Sequence, residues 1–174
     1  MKIENNKRSS KCISSVIAEW NREKLVKFWS PNKQLLASIR GYQKYKKSKG
    51  VLKYISKIFV LKHMYWSVIT GADIPLNTEI GGGLLMPHPN GIVISPRTKI
   101  GVNCLIFQQV TLGSRGGGAP VIGGHVDIGA GAKILGNVII GDHVKVGANA
   151  VVLHDVPSGS TVVGIPAQSI LSIK

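Results

Sequence analysis

From Ile94 onward an aliphatic side chain returns at every sixth position: Ile94, Ile100, Ile106 and Leu112, then Ile122, Ile128, Ile134, Ile140, Val146 and Val152. Mostly polar or small residues lie between them, and glycine follows several directly (Gly101, Gly113, Gly123, Gly129, Gly141, Gly147). A period of six is neither the alternation of an ordinary strand nor the 3.6 of a helix. It predicts a left-handed parallel β-helix, a triangular prism in which three hexapeptides make one coil. The aliphatic residue points inward, and a smaller residue four places on (Cys104, Val110, Ala132, Val138, Ala150) shares the interior. The glycines suit the tight corners. Ile74, Ile80, Met86 and Ile92 extend the inward series upstream.

Two breaks interrupt the count. The step from Ile92 to Ile94 predicts a bulge around Pro89-Asn90-Gly91, and Gly113 to Val121, containing Gly-Gly-Gly-Ala-Pro, predicts a protruding loop. The last regular coil ends near Val156-Pro157, and Val163-Gly164-Ile165-Pro166-Ala167 begins a different C-terminal cap. Before the prism the pattern turns helical. Ser15 to Trp29 and Lys33 to Lys49 read as helices separated at Ser30-Pro31, with Gly50 as a stop signal. A third helix is predicted over 51–70, ended by Gly71, while residues 1–12 read as disordered. The chain thus divides into a helical extension, 1–70, and a β-helix, 71–174, with loop 113–121 protruding.

Charge follows this division. Of the formal +14, residues 1–63 carry +13, with 16 Lys/Arg against 3 Asp/Glu. No nucleic-acid-binding motif accompanies the basic segment, so nucleic acid is set aside as a partner. Lysines interleaved with Trp20, Phe28, Trp29, Tyr42, Tyr45, Tyr54, Phe59, Tyr65 and Trp66 leave two readings open. The segment is either a peripheral arm for an anionic membrane or acidic glycan, or a helical face packed on the prism with its lysines in water. No apolar window is long enough to span a bilayer and no secretory leader is visible, which predicts a cytoplasmic protein, peripheral at the inner membrane face if the arm binds there. Cys12 and Cys104 form no disulfide framework, and Cys104 falls on an inward filler position. His63, His125, His143 and His154 lack the pattern of a three-histidine zinc site, so no metal is expected.

Four segments carry further information: Asp73-Ile74, His88-Pro89-Asn90-Gly91-Ile92-Val93, Gln109-Val110-Thr111-Leu112-Gly113, and 128–137 (Ile-Gly-Ala-Gly-Ala-Lys-Ile-Leu-Gly-Asn). Together with the Val-Gly-Ile-Pro-Ala ending, they resemble the serine O-acetyltransferase branch of the hexapeptide acetyltransferases over roughly residues 65–170. That family pairs an Asp with a His fifteen residues later, and Asp73 and His88 keep the spacing. The chemistry is coherent. Moving an acetyl group from a thioester to a hydroxyl needs a base near neutral pKa, which imidazole supplies, and a carboxylate to orient the ring. The resemblance implies acetyl-CoA as donor, an oxyanion contact at Gly113 and Ser114 beside the thioester, and a pantetheine path along Ala130 and Ala148. It also implies a homotrimer with sites between subunits.

Two departures shape the expected acceptor. Pro87 stands where the family has an Asp before the catalytic His, and Gly118-Ala119 stand where it has an Arg-His pair for the amino-acid carboxylate. An amino acid without charge partners would be bound at a cost. The leading expectation is therefore a saccharide acceptor: acetyl transfer to a sugar hydroxyl of a surface polysaccharide or its precursor, as in capsular, colanic-acid and O-antigen acetyltransferases. Serine O-acetyltransferase is the alternative. A non-catalytic trimeric scaffold is disfavoured by the intact Asp73/His88 pair.

Overall fold

The computed structural model describes residues 13–170 except 26 and 28; the reading of residues 1–12 as disordered lies outside these. A single 3-10 turn, Trp20–Glu23, precedes two helices, α1 (Pro31–Tyr45) and α2 (Val51–Thr70). Short strands follow: β1 (Glu79–Ile80), β2 (Val93–Ile94), β3 (Lys99–Ile100), β4 (Leu105–Ile106), β5 (Thr111–Gly113), β6 (Val121–Ile122) and β7 (Asp127–Ile128). The series continues with β8 (Lys133–Leu135), β9 (Ile139–Ile140), β10 (Lys145–Val146), β11 (Val151–Val152), β12 (Thr161–Gly164) and β13 (Ala167–Ile170).

These strands make the three faces of a parallel β-helix. One face runs β2-β5-β8-β11, the next β1-β3-β6-β9, and the third β4-β7-β10-β12, closed by β13, which turns back antiparallel on β12. Val93 stacks on Thr111, and Asp127 on Lys145, eighteen residues on in each case. The physical basis is the six-residue repeat itself. Every aliphatic residue of the series from Ile94 to Val152 is buried in one continuous core, with Cys104, Val110, Ala132, Val138 and Ala150 between them. Parallel stacking in register carries each backbone N–H to the coil beside it, as in Leu105 N–H to the Val126 carbonyl (2.9 Å) and Lys133 N–H to the Ala150 carbonyl (2.8 Å).

The helical part departs from expectation at its start. Among the described residues of 15–29 no helix forms beyond the single turn at Trp20–Glu23. Backbone groups of Ser14, Ile17 and Glu19 are bound to the prism instead of to a helical turn. Asn103, buried in a coil corner, accepts from the Glu19 N–H (2.7 Å) and donates to the Ser14 and Ile17 carbonyls (2.7 Å each). Helix α1 begins at Pro31, not Lys33, because proline is at home in the first helical turn, where its missing N–H has no partner to lose. Helix α2 occupies 51–70 as the pattern predicts, closed by Gly71 in the left-handed conformation.

The helices form an antiparallel cap over the first coil. Leu35, Leu36 and Ile39 of α1 are buried in the same cluster as the prism core, with Trp66 packed against it. The two helices approach closely at Gly41, where a Cβ would lie 2.1 Å from the Phe59 ring. Arg40 ties α1 to the prism, donating to the carbonyls of Ile80 (2.5 Å) and Gly81 (2.6 Å) while pairing with Glu23 (2.9 Å). Gln43 donates to the Leu76 and Thr78 carbonyls (3.1 and 2.9 Å). For α1, then, the basic extension is a packed face and not a free arm.

Candidate active site

His88 stands in a corner that the coil below does not have. Leu85 stacks on Leu105 and Val93 on Thr111, so this corner holds two more residues than its counterpart one coil down. The turn 87–90 takes up the extra length. Its geometry is held by backbone bonds: Ile92 N–H to the Pro89 carbonyl (3.1 Å), Gly91 N–H to the Gly71 carbonyl (2.9 Å) and Gln109 N–H to the Asn90 carbonyl (2.9 Å). Gly91 adopts φ +67, which a side chain would strain. The result is a rigid turn that presents an exposed imidazole.

That turn is one wall of a cavity of about 340 Å³. Pro31 and Asn32 at the start of α1, and Ile69 and Thr70 at the end of α2, form the other. Asn32 donates through Nδ2 to the Met86 carbonyl (3.0 Å), pinning α1 beside the turn. None of these four residues emerged from the sequence reading. The only signal was Ser30-Pro31, read there as a helix break and not as part of a site.

Asp73 lies on the coil above. Its N–H donates to the Ile92 carbonyl (2.8 Å), its own carbonyl accepts from Ile94 (2.9 Å), and it bridges Val93 in parallel. Asp73 and His88 therefore occupy adjacent coils at one side of the prism, both exposed. Neither the Asp73 carboxylate nor the His88 ring has a hydrogen-bond partner among the described residues.

The remaining expected site residues fall in two places. Ala130 and Ala148 lie on the His88 corner, two and three coils further along. The chain of contacts is explicit: Gln109 N–H to Asn90, Gly131 N–H to Gln108 (2.9 Å), and Asn149 N–H to Ala130 (2.8 Å). Ala130 is half-buried and Ala148 exposed, so this edge is lined by small side chains. Coil spacing there is tight, for a Cβ on Gly129 would lie 2.6 Å from the Ala148 nitrogen. Gly113 and Ser114 lie elsewhere, at the opposite edge of the β2-β5-β8-β11 face, where β5 ends and the loop leaves the prism. Ser114 hydrogen-bonds Ser95, Arg97 donates to the Gly117 carbonyl (2.6 Å), and Arg115 and Gly118 pair across the loop. Within one chain, the width of a prism face separates this loop from His88.

Other titratable groups stay apart from the cavity. Cys104 is fully buried, and burial pushes its thiol up to about 11. His125 and His143 meet through their Nδ1 atoms (2.8 Å) at the corner between the β1 and β4 faces, and desolvation lowers the His125 pKa. Among the described residues no group of three His, Cys, Asp or Glu could hold a metal, and no helix is long and apolar enough to cross a membrane.

Residues 119–154 match the bacterial transferase hexapeptide family (six repeats), so the β-helix carries that repeat. The chain is 44% identical to a serine acetyltransferase of Staphylococcus xylosus over 135 residues, covering 75% of this chain and 59% of the relative. It is also similar to the structure of soybean serine acetyltransferase complexed with serine (TM-score 0.69, 36% identity, 80% of this chain and 57% of that one). A serine acetyltransferase in complex with CoA is alike to the same degree (TM-score 0.69, 32% identity, 82% and 58%). The chain spans about half the length of the relatives it matches.

These likenesses overturn the polysaccharide reading, because the relatives and solved neighbours are serine acetyltransferases. The structure bears on one premise of that inference. It rested partly on the absence of an Arg-His pair at Gly118-Ala119. Ala119 is buried, and a Cβ on Gly118 would lie 2.3 Å from the Asn137 Cβ, so neither position can carry a long side chain toward a substrate. Arg115, in the same loop, is exposed and keeps a cation there.

Proposed function

We propose that this chain is an O-acetyltransferase that moves the acetyl group of acetyl-CoA to the hydroxyl of L-serine. The observation that carries the reading is the likeness to serine acetyltransferases, in sequence and in fold, across about four fifths of the chain. The residues present suit that chemistry. His88 is an exposed imidazole on a rigid turn at a cavity large enough for a small amino acid, with Asp73 on the adjacent coil. The small-residue edge at Ala130 and Ala148 leaves room for an extended pantetheine arm to lie along the corner.

When bound, acetyl-CoA supplies the acetyl group as a thioester. His88 takes the proton of the serine hydroxyl as the oxygen attacks, and returns it to the departing sulfur. Asp73 turns toward the ring, fixes its tautomer and stabilises the imidazolium. Gly113 and Ser114 stabilise the charge that develops on the carbonyl oxygen. Because they stand a face away from His88 in the same chain, the site is completed by a second copy, and a homotrimer brings the loop of one subunit to the open corner of the next. In that arrangement Arg115 meets the serine carboxylate, and the Oδ1 of Asn32, without a partner among the described residues, offers an acceptor to the ammonium.

The test is serine-dependent thiol release from acetyl-CoA by the wild-type chain and by His88→Ala. Transfer that falls by a factor of about 10² to 10⁴ in the variant is the expected result. If the folded wild type releases no thiol with serine present, the proposal fails. Release that persists in the variant removes His88 as the base.

A further inference from the structure

Helix α2 turns an apolar face to solvent. Tyr54, Ile58, Leu61, Tyr65 and Val68 fall at i, i+4, i+7, i+11 and i+14, one straight stripe along the helix. All are well exposed, Leu61 at 67% and Val68 at 82%. The opposite side is the one that packs: Ser56 and Thr70 are buried, Phe59 stacks on Tyr45 of α1, and Trp66 lies against the core. The stripe is therefore surplus to folding. At the α-helical rise the stripe runs over about 21 Å.

The charges around the stripe decide what fits it. Lys53 and Lys57 flank one edge and Lys62 the other, all exposed. The Lys57 ammonium sits 5.2 Å over the Tyr54 ring and that of Lys62 5.7 Å over the Phe59 ring, so their stems lie along apolar surface with the charges outermost. Lys44, Lys47 and Lys49 add exposed charge where α1 hands over to α2. Between residues 24 and 72 the sequence holds eleven Lys/Arg and no Asp/Glu. Two copies of this face would set lysine against lysine, whereas an anionic surface neutralises them. An apolar centre with cations along both margins matches an acyl boundary beneath anionic headgroups.

We infer that α2 docks the protein, lying in the plane of the interface, onto an anionic lipid bilayer. Tyr54, Ile58, Leu61, Tyr65 and Val68 enter the acyl boundary while Lys53, Lys57 and Lys62 hold the headgroups. Trp66, which makes edge contacts with Trp29 and Tyr65, lies beside the stripe and reports its environment. The inference does not depend on the acetyl-transfer reading.

The experiment is co-sedimentation of the full chain with vesicles of phosphatidylcholine alone, or of phosphatidylcholine mixed with phosphatidylglycerol, with tryptophan emission recorded in parallel. Binding to the mixed vesicles only, with a blue shift and weakening in high salt, is expected. Replacing Lys53, Lys57 and Lys62 together by Gln lowers the partition coefficient on the order of a hundredfold. An Ile58→Gln, Leu61→Gln variant loses as much through its apolar contacts. These side chains are exposed, so circular dichroism of both variants stays that of the wild type. No binding to mixed vesicles, equal binding to both kinds, or variants that bind like wild type would each overturn the inference. So would an oligomer, measured by light scattering, that dissociates in the Ile58/Leu61 variant, since that outcome assigns the stripe to a second copy.

Discussion

Asn103 controls whether the N-terminal segment stays on the prism. Its side chain is fully buried, makes the three 2.7 Å hydrogen bonds to Ser14, Ile17 and Glu19, and leaves a corner residue at φ +59. In Asn103→Ala all three bonds are lost, at about 1 kcal/mol each. Alanine in the left-handed region adds roughly 1 kcal/mol that asparagine largely escapes. The hydrogen-bond loss, about 3 kcal/mol, falls on docking of the segment, whereas the strain stays in the prism corner whether or not the segment is docked. The readout is trypsin cleavage after Arg22, whose guanidinium is at present engaged by the Asn103 carbonyl (2.6 Å). Where cleavage tracks the open population, a shift of ~3 kcal/mol raises the rate by up to about 10². Asn103→Gly loses the same bonds without the backbone strain, so it is cleaved about as fast as the alanine variant. Cleavage of Asn103→Ala at the wild-type rate would refute this account of how the segment is held. Clearly unequal rates for the alanine and glycine variants would refute the placement of the strain in the prism corner.

Further outcomes follow from other sites. Ile128→Ala, which empties a fully buried position in the middle of the prism, lowers unfolding free energy by about 2–5 kcal/mol in urea titration. Cys104 remains unmodified by a thiol reagent in the native protein and reacts once the chain is denatured, because burial raises its pKa from 9.0 to about 11 and removes access. As the folded state holds that proton more tightly than the unfolded, its contribution to stability is constant below pH 9 and is lost as pH rises toward about 11, measurable as a falling urea midpoint. Arg115→Ala raises the KM for serine while leaving that for acetyl-CoA unchanged, if the exposed loop cation meets the carboxylate; equal effects on both substrates would exclude that role.

The prism was legible because its cause is local and repeated. One inward aliphatic residue in six, with a small partner four places on, specifies the same turn and the same stacking in every coil, so a short pattern determines a long structure. The irregularities were legible for the same reason: the miscount at Ile92–Ile94 is the two-residue corner that lifts His88 out, and the miscount after Gly113 is the loop. The segment before α1 was not legible. Its apolar positions read as a helix from Ser15 to Trp29, but its backbone is held by Asn103, more than eighty residues away in sequence. Nothing in the segment itself encodes that partner. The cavity wall is of the same kind: Asn32 reaches Met86 only because α1 packs over the first coil. Arg115 and Ala119 show the limit most directly, since which loop residue faces outward depends on how the loop settles on Asn137. The repeating prism and the place of its interruptions follow from interactions that recur at short range along the chain. The tertiary structure alone decided what surrounds His88, because those contacts join parts of the chain that carry no shared periodicity.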